Sequence, residues 1–203
     1  MVSRNVGEYR YPLGGKLYVF NKNENIGFIK GHMCSPAIAT QAEDLIAGGV
    51  KELIHVGYAR GLQPELVPGE IILTDGAFND TAVAGVYGYD YDIIHSSKDL
   101  TNEIEEMITS AEILYKRGLH WTTDAGYRET WGQVMDYRDK GALCVEMEGV
   151  GLFTIANYRK CVATGIYVVS DVYLEDDWKL GWEGNDIKKA VGEIIDMIIK
   201  SIR

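Results

Sequence analysis

Two glutamates, Glu146 and Glu148, stand two residues apart in the segment L-C-V-E-M-E-G-V-G-L-F, with Met147 between them. On an extended segment, residues two apart point to the same side, so the two carboxylates share one face and Met147 lies on the other. Ionised carboxylates accept strong hydrogen bonds, and a pair of them beside apolar residues suits the vicinal hydroxyls of a sugar. The alternative is an ion-paired acid that caps the helix predicted to follow. The spacing alone leaves both interpretations open.

A third acid stands at the end of the most apolar run in the chain. Asp171 follows A-T-G-I-Y-V-V-S, which predicts a buried strand over Ala163–Ser170. Partial burial at the mouth of a strand favours the protonated form of a carboxylic acid and suits it to donate a proton. Because Asp is also a favoured helix N-cap, a capping role is the alternative.

The segment H-V-G-Y-A-R-G, residues 55–61, brings two possible cations, His55 and Arg60, to another strand end. Its glycines let backbone amides approach a ligand. It lacks the glycine spacing and the Lys-Ser/Thr pair of a phosphate loop. By itself it is a weak candidate for an anion site.

Hydrophobic periodicity predicts the elements that position these residues. The predicted strands are Leu17–Phe20, Ile26–Lys30, Leu53–Val56, Ile71–Leu73, Leu119–Thr123 and Ala163–Ser170. The predicted helices run from Pro36 to the Gly48-Gly49 pair and over Asp99–Tyr115, Gly149–Tyr158 and Asp186–Ile202. The first strand-helix-strand succession suggests a βαβ unit. We expect one α/β domain over residues 1–203, a mixed central sheet flanked by helices, with its site beyond the strand ends.

Composition narrows the class of protein. The 203 residues are 46% hydrophobic and 25% charged, as in a globular protein, and no apolar run reaches the ~18–20 residues of a membrane span. A net charge of −10 argues against a nucleic acid partner. The three cysteines, Cys34, Cys144 and Cys161, have no metal-ligand spacing, so we expect reduced thiols, no metal site and a cytoplasmic location.

Four segments together resemble the nucleoside phosphorylase family, which holds bacterial-type purine nucleoside phosphorylases, uridine phosphorylases and the related methylthioadenosine/adenosylhomocysteine nucleosidases. They are G-L-Q-P-E-L-V-P-G-E-I-I-L-T-D (61–75), T-T-D-A-G-Y (122–127), V-E-M-E-G-V-G-L-F (145–153) and V-V-S-D (168–171). Their order along nearly the whole chain is far more specific than any one of them. The resemblance implies a homo-oligomer, a dimer or a trimer of dimers, and no metal or organic cofactor.

The resemblance also implies roles for the acids. Glu148 is then the main ribose ligand, with Met147 packing on the sugar and Glu146 nearby. Asp171 is the general acid that protonates a purine as the glycosidic bond breaks, which suits a reaction through a ribosyl cation-like state. The family's base-stacking aromatic falls at Gly126, which leaves three candidates for base binding: Thr123, Tyr127 and Ser170.

The segments that hold phosphate in the family differ in this sequence from the family pattern. The family's opening Gly-Asp-Pro loop and its arginine have no counterpart in this sequence, and Arg-Ile-Gly-Thr is replaced by His55-Val56-Gly57-Tyr58. Arg4 keeps the family's spacing into the following Gly-Lys turn and is the candidate for an arginine lent by a neighbouring subunit. Arg60 is a cation without a family counterpart. The candidate phosphate ligands are therefore Arg4, His55, Tyr58 and Arg60.

We expect phosphorolysis of a purine nucleoside to the free base and ribose 1-phosphate, with nucleoside and phosphate as partners. Asp171 favours a purine as the base. In addition, Gln133 and Arg128 are out of register with the glutamine and arginine of uridine-specific members. Three alternatives stay open: a uridine phosphorylase, a nucleosidase that uses water, and a nucleoside-binding protein without catalysis.

Overall fold

Strands and helices alternate along the part of the chain that the computed structural model describes, residues 6–10, 16–20, 23–174, 178–180 and 184–201. The strands are β1 Val6–Arg10, β2 Lys16–Phe20, β3 Asn23–Ile29, β4 Glu52–Gly61, β5 Ile71–Asp80, β6 Ile93–His95, β7 Lys116–Thr123, β8 Cys144–Glu146, β9 Val162–Tyr173 and β10 Trp178–Leu180. The helices are α1 Ser35–Ala47, α2 Val83–Val86, α3 Lys98–Ser110, α4 Trp131–Asp139, α5 Gly149–Arg159 and α6 Asn185–Ser201.

The central sheet has seven strands in the order β10-β9-β4-β8-β7-β5-β6. β9 also pairs with β5, so β9, β4, β8, β7 and β5 close into a ring. The pairs β4–β9, β5–β7 and β7–β8 are parallel, whereas β4–β8 and β5–β9 are antiparallel. The predicted α/β fold around a mixed central sheet is confirmed.

Apolar clusters hold the helices against this sheet. Ile38 of α1 and Phe153 of α5 belong to one buried cluster with residues of α2, β5 and β6. Ile104 of α3 and Ile194 of α6 belong to another, with residues of β5 and β9. No helix in the described part of the chain has the length and apolar character of a membrane span.

The predicted βαβ unit is wrong. The strand before α1 is β3, which pairs with β2 in a separate three-stranded antiparallel sheet and not with β4. Local periodicity identifies a strand but carries no information about its partner, so the order strand-helix-strand did not determine the pairing.

Two helix predictions also differ from the structure. The helix predicted over Asp99–Tyr115 ends at Ser110; Glu112 adopts a φ of 55°, and Leu114, which helical spacing places on the apolar face, is 91% exposed. Helix α4 was not predicted. Its signal is the capping box of Thr130 and Gln133, whose side chains and backbone amides bond reciprocally.

Helices α1 and α5 cross closely at Gly151. A Cβ at Gly151 would lie 2.5 Å from the carbonyl oxygen of Ser35 and 2.8 Å from its Cα. The hydroxyl of Ser35 also donates to the carbonyl oxygen of Met147 at 2.9 Å. The crossing therefore fixes the start of α1 against the segment that joins β8 to α5.

We predict that Gly151→Ala lowers the free energy of unfolding by about 2 kcal/mol, because backbone atoms of Ser35 must move to admit the methyl group. Gly192→Ala is the matched control: an added Cβ there meets nothing within 4 Å, so the better helix former adds up to about 1 kcal/mol. Urea denaturation of both variants measures the difference. Equal effects of the two substitutions would contradict the close crossing.

Candidate active site

Glu146 is buried at the end of β8, and its carboxylate is fully used inside the protein. Oε1 accepts hydrogen bonds from Thr122 Oγ1 at 2.5 Å and His120 Nε2 at 3.0 Å. Oε2 accepts from the amides of Glu148 and Gly149, both at 2.8 Å. The capping alternative therefore describes Glu146, since it satisfies the first amides of α5.

The surroundings of Glu146 keep it ionised. Burial alone raises its pKa, but the charge of His120 and the hydrogen bonds from His120 and Thr122 lower the pKa to about 2. His120 is itself buried, with Nδ1 2.6 Å from Thr74 Oγ1. Gly149 is needed beside it, because a Cβ at that position would overlap the imidazole of His120.

Glu148 differs from Glu146 in its burial, its hydrogen-bond partners and the direction of its pKa shift. It is the N-cap residue of α5 but makes no side-chain cap bond, and it is only partly buried. Its Oε1 accepts from the Cys34 amide at 2.7 Å. Burial, and next the charge of Glu146, raise the pKa of Glu148 to about 7. Cys34 has φ 73° and ψ 149°, a region almost confined to glycine, so the backbone is strained where it meets this carboxylate.

Asp171 is 1% exposed and lies inside β9, which continues to Tyr173. It is therefore not a helix N-cap, and the strand is longer than the predicted Ala163–Ser170. Ser170 Oγ donates to Asp171 Oδ1 at 2.6 Å, and Arg60 Nε donates to Oδ2. Arg60 is aligned with Asp171 on β9 and with Val145 on β8, so three strands meet at this point.

Arg60 also joins two residues that sequence reasoning missed, Glu129 and Tyr173. Arg60 Nη1 donates to Glu129 Oε2 at 3.2 Å and to the Tyr173 hydroxyl at 2.7 Å, and that hydroxyl donates to Glu129 Oε2 at 2.6 Å. Burial and the bond to Glu129 raise the pKa of Tyr173 to about 12. Their positions in the sequence could have identified both residues, because Glu129 closely follows the segment T-T-D-A-G-Y and Tyr173 is two residues beyond Asp171.

The segment predicted to bind the base lies against Met147. A Cβ at Gly126 would lie 3.5 Å from Glu129 Oε1 and 3.6 Å from Met147 Sδ. Tyr127 is fully exposed, whereas Thr123 is buried and accepts from the Ala125 amide at 3.3 Å. The structure thus brings Gly126, Glu129 and Met147 together but leaves Tyr127 in solvent.

Three of the four residues predicted to hold phosphate, His55, Tyr58 and Arg60, lie in the described part of the chain, all on β4. His55 is partly buried, with Nδ1 3.5 Å from the Tyr167 hydroxyl, and burial lowers its pKa. Tyr58, three residues along β4, faces the opposite way and is half exposed. Arg60 is paired with acids, and Arg4 lies outside the described residues. A phosphate role for these four residues stays a prediction, as does the oligomer that Arg4 implies.

Two acidic side chains, Glu148 and Asp124, act electrostatically on the thiol of Cys34. Asp124 accepts from the Ala82 amide at 3.0 Å through Oδ2, while its buried Oδ1 has no partner among the described residues. Burial, followed by the charges of Glu148 and Asp124, raises the pKa of the Cys34 thiol. In the described ranges, no three His, Cys, Asp or Glu side chains are grouped so as to hold a metal ion.

We predict that Glu148→Gln changes the pH dependence of the unfolding free energy, whereas Glu146→Gln lowers the unfolding free energy at every pH tested. The folded protein keeps a proton on Glu148 up to a pKa of about 7, against an ordinary value of 4.5. The stability that protonated Glu148 contributes to the folded protein is therefore fully present below pH 4.5 and is lost as the pH rises through about 7. Relative to Glu148→Gln, the wild type should lose about 3 kcal/mol of unfolding free energy between about pH 4.5 and pH 8.

Glu146→Gln should instead cost about 3 kcal/mol at both pH values, because one amide NH₂ then faces N–H donors in a buried site. Urea denaturation of the three proteins measures both effects. Parallel pH profiles of the wild type and Glu148→Gln would contradict the shifted pKa of Glu148.

Comparison with known proteins identifies the family. The sequence matches the Phosphorylase superfamily over residues 4–200. The DeoD-type purine nucleoside phosphorylase of Exiguobacterium sibiricum is 32% identical over 139 residues, which cover 67% of this chain and 59% of that protein. Proteins of the same name from Caldanaerobacter subterraneus subsp. tengcongensis and Shewanella oneidensis (there DeoD-type 1) are 31% and 26% identical over 156 and 152 residues. These cover 71% and 74% of this chain, and 67% and 64% of the relatives.

The matched segment thus spans less than two thirds of the Exiguobacterium and Shewanella proteins. The family match nevertheless extends over nearly the whole of this chain, in agreement with the four resembling segments and the mixed α/β fold. The chain belongs to the nucleoside phosphorylase family of the Phosphorylase superfamily.

Proposed function

We propose that this chain cleaves the N-glycosidic bond of a purine nucleoside, with phosphate as the attacking group and free base and ribose 1-phosphate as products. The observation that carries the proposal is the proximity of the two predicted halves of the site. Met147 Sδ and Glu129 Oε1 both lie within 3.6 Å of the Cβ position at Gly126, and Arg60 donates to both Glu129 and Asp171. The candidate sugar segment and the candidate acid therefore border one region.

Glu148 supports the sugar half of the proposal. Of the two glutamates, it is the one whose carboxylate is not saturated by the protein, with the Cys34 amide on one oxygen. An ionised carboxylate accepts bonds from two vicinal hydroxyls and stabilises the positive charge that develops on the ribose. Because the pKa of Glu148 is raised to about 7, nucleoside affinity should increase as the pH rises through neutrality.

Asp171 supports the acid half. The departing purine takes the electron pair of the glycosidic bond, and a proton on its imidazole ring makes it a better leaving group. Ser170 and Arg60 hold the carboxyl of Asp171 in one orientation. Both carboxyl oxygens of Asp171 thus have donors inside the protein, so a base that receives a proton from Asp171 must displace Ser170 or Arg60 from one of them.

The environment of His55 favours water as a second candidate for the attacking group. Burial lowers the pKa of His55, so the imidazole is uncharged near neutral pH and offers a hydrogen bond but no positive charge to phosphate. Glu146 and His120 are the charged or titratable groups that act on it electrostatically. The second candidate function is therefore a phosphate-independent nucleosidase.

We predict release of free base from inosine or adenosine, measured by chromatography with and without phosphate. Release that requires phosphate supports phosphorolysis, and equal release without phosphate supports the nucleosidase. Faster release from uridine than from either purine nucleoside would contradict the purine assignment. If the protein neither turns over nor binds any of the three nucleosides, the proposed function is wrong.

We predict that Asp171→Asn lowers kcat by about 10²–10⁴-fold, because the amide keeps a hydrogen-bond donor but transfers no proton. Exposed Asp196, on α6, supplies the matched control Asp196→Asn, which should leave kcat unchanged. Circular dichroism checks that both variants fold. A kcat of Asp171→Asn within about twofold of the wild type would show that proton donation lies elsewhere.

A further inference from the structure

The imidazole of His55 lies between β9 and the segment that joins β3 to α1. Its Nδ1 is 3.5 Å from the hydroxyl of Tyr167 on β9, and its Nε2 is 3.7 Å from the Cβ position at Gly31 in that segment. Three residues after Gly31, the amide of Cys34 donates to the carboxylate of Glu148. His55 and the candidate ribose ligand therefore border the same short segment.

One nitrogen of His55 is open to solvent. A Cβ at Gly57, two residues along the same face of β4, would lie 3.1 Å from His55 Cε1, so glycine there makes room for the ring. Nε2 has no hydrogen-bond partner in the described part of the chain. The buried side-chain atoms that lack a partner there are Asp124 Oδ1 and Thr154 Oγ1. Since Nε2 is not one of them, solvent reaches it.

The partners of Tyr167 decide which nitrogen of His55 carries the proton. Tyr167 is fully buried, and its hydroxyl is hydrogen-bonded to Glu146 as well as facing His55. Because the ionised carboxylate of Glu146 accepts hydrogen bonds and donates none, the hydroxyl of Tyr167 gives its one proton to Glu146. The phenolic oxygen then accepts from His55 Nδ1–H, which leaves a lone pair on Nε2.

The groups around His55 keep its imidazole uncharged near neutral pH. Burial, the largest effect, lowers the pKa of His55; the charge of Glu146 on β8 raises it less, and His120 on β7 lowers it again. Burial, and next the charge of Glu146, raise the pKa of Tyr167 well above 10, so that hydroxyl stays neutral. An uncharged imidazole with an accessible lone pair is the side chain that enzymes most often use as a general base.

We infer that His55 is a general base, with which the chain hydrolyses a purine nucleoside when water takes the place of phosphate. Nε2 takes a proton from water as the water oxygen bonds to C1′ of the ribose. The C1′–N9 bond breaks, its electron pair goes to the purine, and the purine takes a proton from Asp171. The products are ribose and free purine, and His55 passes its proton to solvent while Asp171 regains one. The inference rests on the proposed function, because it names the base for the second attacking group at the same site.

His55→Asn is the test variant, because its amide still has an N–H for the Tyr167 hydroxyl but has no basic nitrogen. Release of free base from inosine and adenosine is followed by chromatography in phosphate-free buffer. The wild type should release base there, and His55→Asn should do so about 10²–10⁴-fold more slowly. Exposed His95, at the end of β6, supplies the matched control His95→Gln, which should keep the wild-type rate. Circular dichroism checks that both variants fold.

The pH dependence separates proton transfer from a merely structural role of His55. As the pH falls through the pKa of His55, the wild type loses its base, whereas His55→Asn has none to lose. The ratio of the wild-type rate to the variant rate should therefore be constant above about pH 7 and fall about tenfold per pH unit below that pKa. Protonation of Glu148 and Asp171 affects both proteins and cancels in the ratio.

Three results would overturn the inference. A phosphate-free rate of His55→Asn within about threefold of the wild type would place the base elsewhere. A ratio of rates that does not change with pH would indicate a structural role alone. Release of base only when phosphate is present would exclude hydrolysis, and the proposed phosphorolysis would then stand without it. If the wild type releases no base with or without phosphate, the proposed cleavage itself fails, and the inference fails with it.

Discussion

The buried carboxylate of Glu146 is the interaction on which the rest of the site depends. Its donors come from two other elements, His120 and Thr122 on β7 and the amides of Glu148 and Gly149 at the start of α5. The amides of a helix start need acceptors, and the positive end of the helix dipole favours an anion there. One charge thus joins β7, β8 and the start of α5.

The state of Glu148 follows from that of Glu146. Two glutamates two residues apart have pKa values of about 2 and about 7, because one is saturated with donors and the other is partly buried beside its negative charge. The first acid is a structural anion. The second has a carboxylate available to a ligand and changes its charge near neutral pH, so the same motif supplies both a scaffold and a candidate ligand-binding group.

A second charged group forms where β4, β8 and β9 meet. Arg60 joins Asp171 to Glu129, and Tyr173 closes the contact. The guanidinium thereby holds two carboxylates from distant parts of the chain close together. Arg60 has no counterpart in the family motif and is predicted from sequence to hold phosphate. Its strand position instead directs it toward Asp171 of the V-V-S-D segment and toward Glu129.

Sequence by itself determined the fold class, most of the elements and the acids at the strand ends, since these depend on local periodicity and on the order of the family segments. Periodicity was misleading past the end of a helix: it placed Leu114 on the apolar face of α3, but α3 ends at Ser110 and Leu114 is exposed. Tertiary structure alone decided that β3 pairs outside the central sheet and that Arg60 meets Asp171, 111 residues away. It also decided that Glu146 is saturated while Glu148 is not. The physical reason is that strand order and register bring distant side chains together, and neither is encoded in the spacing of residues along one segment.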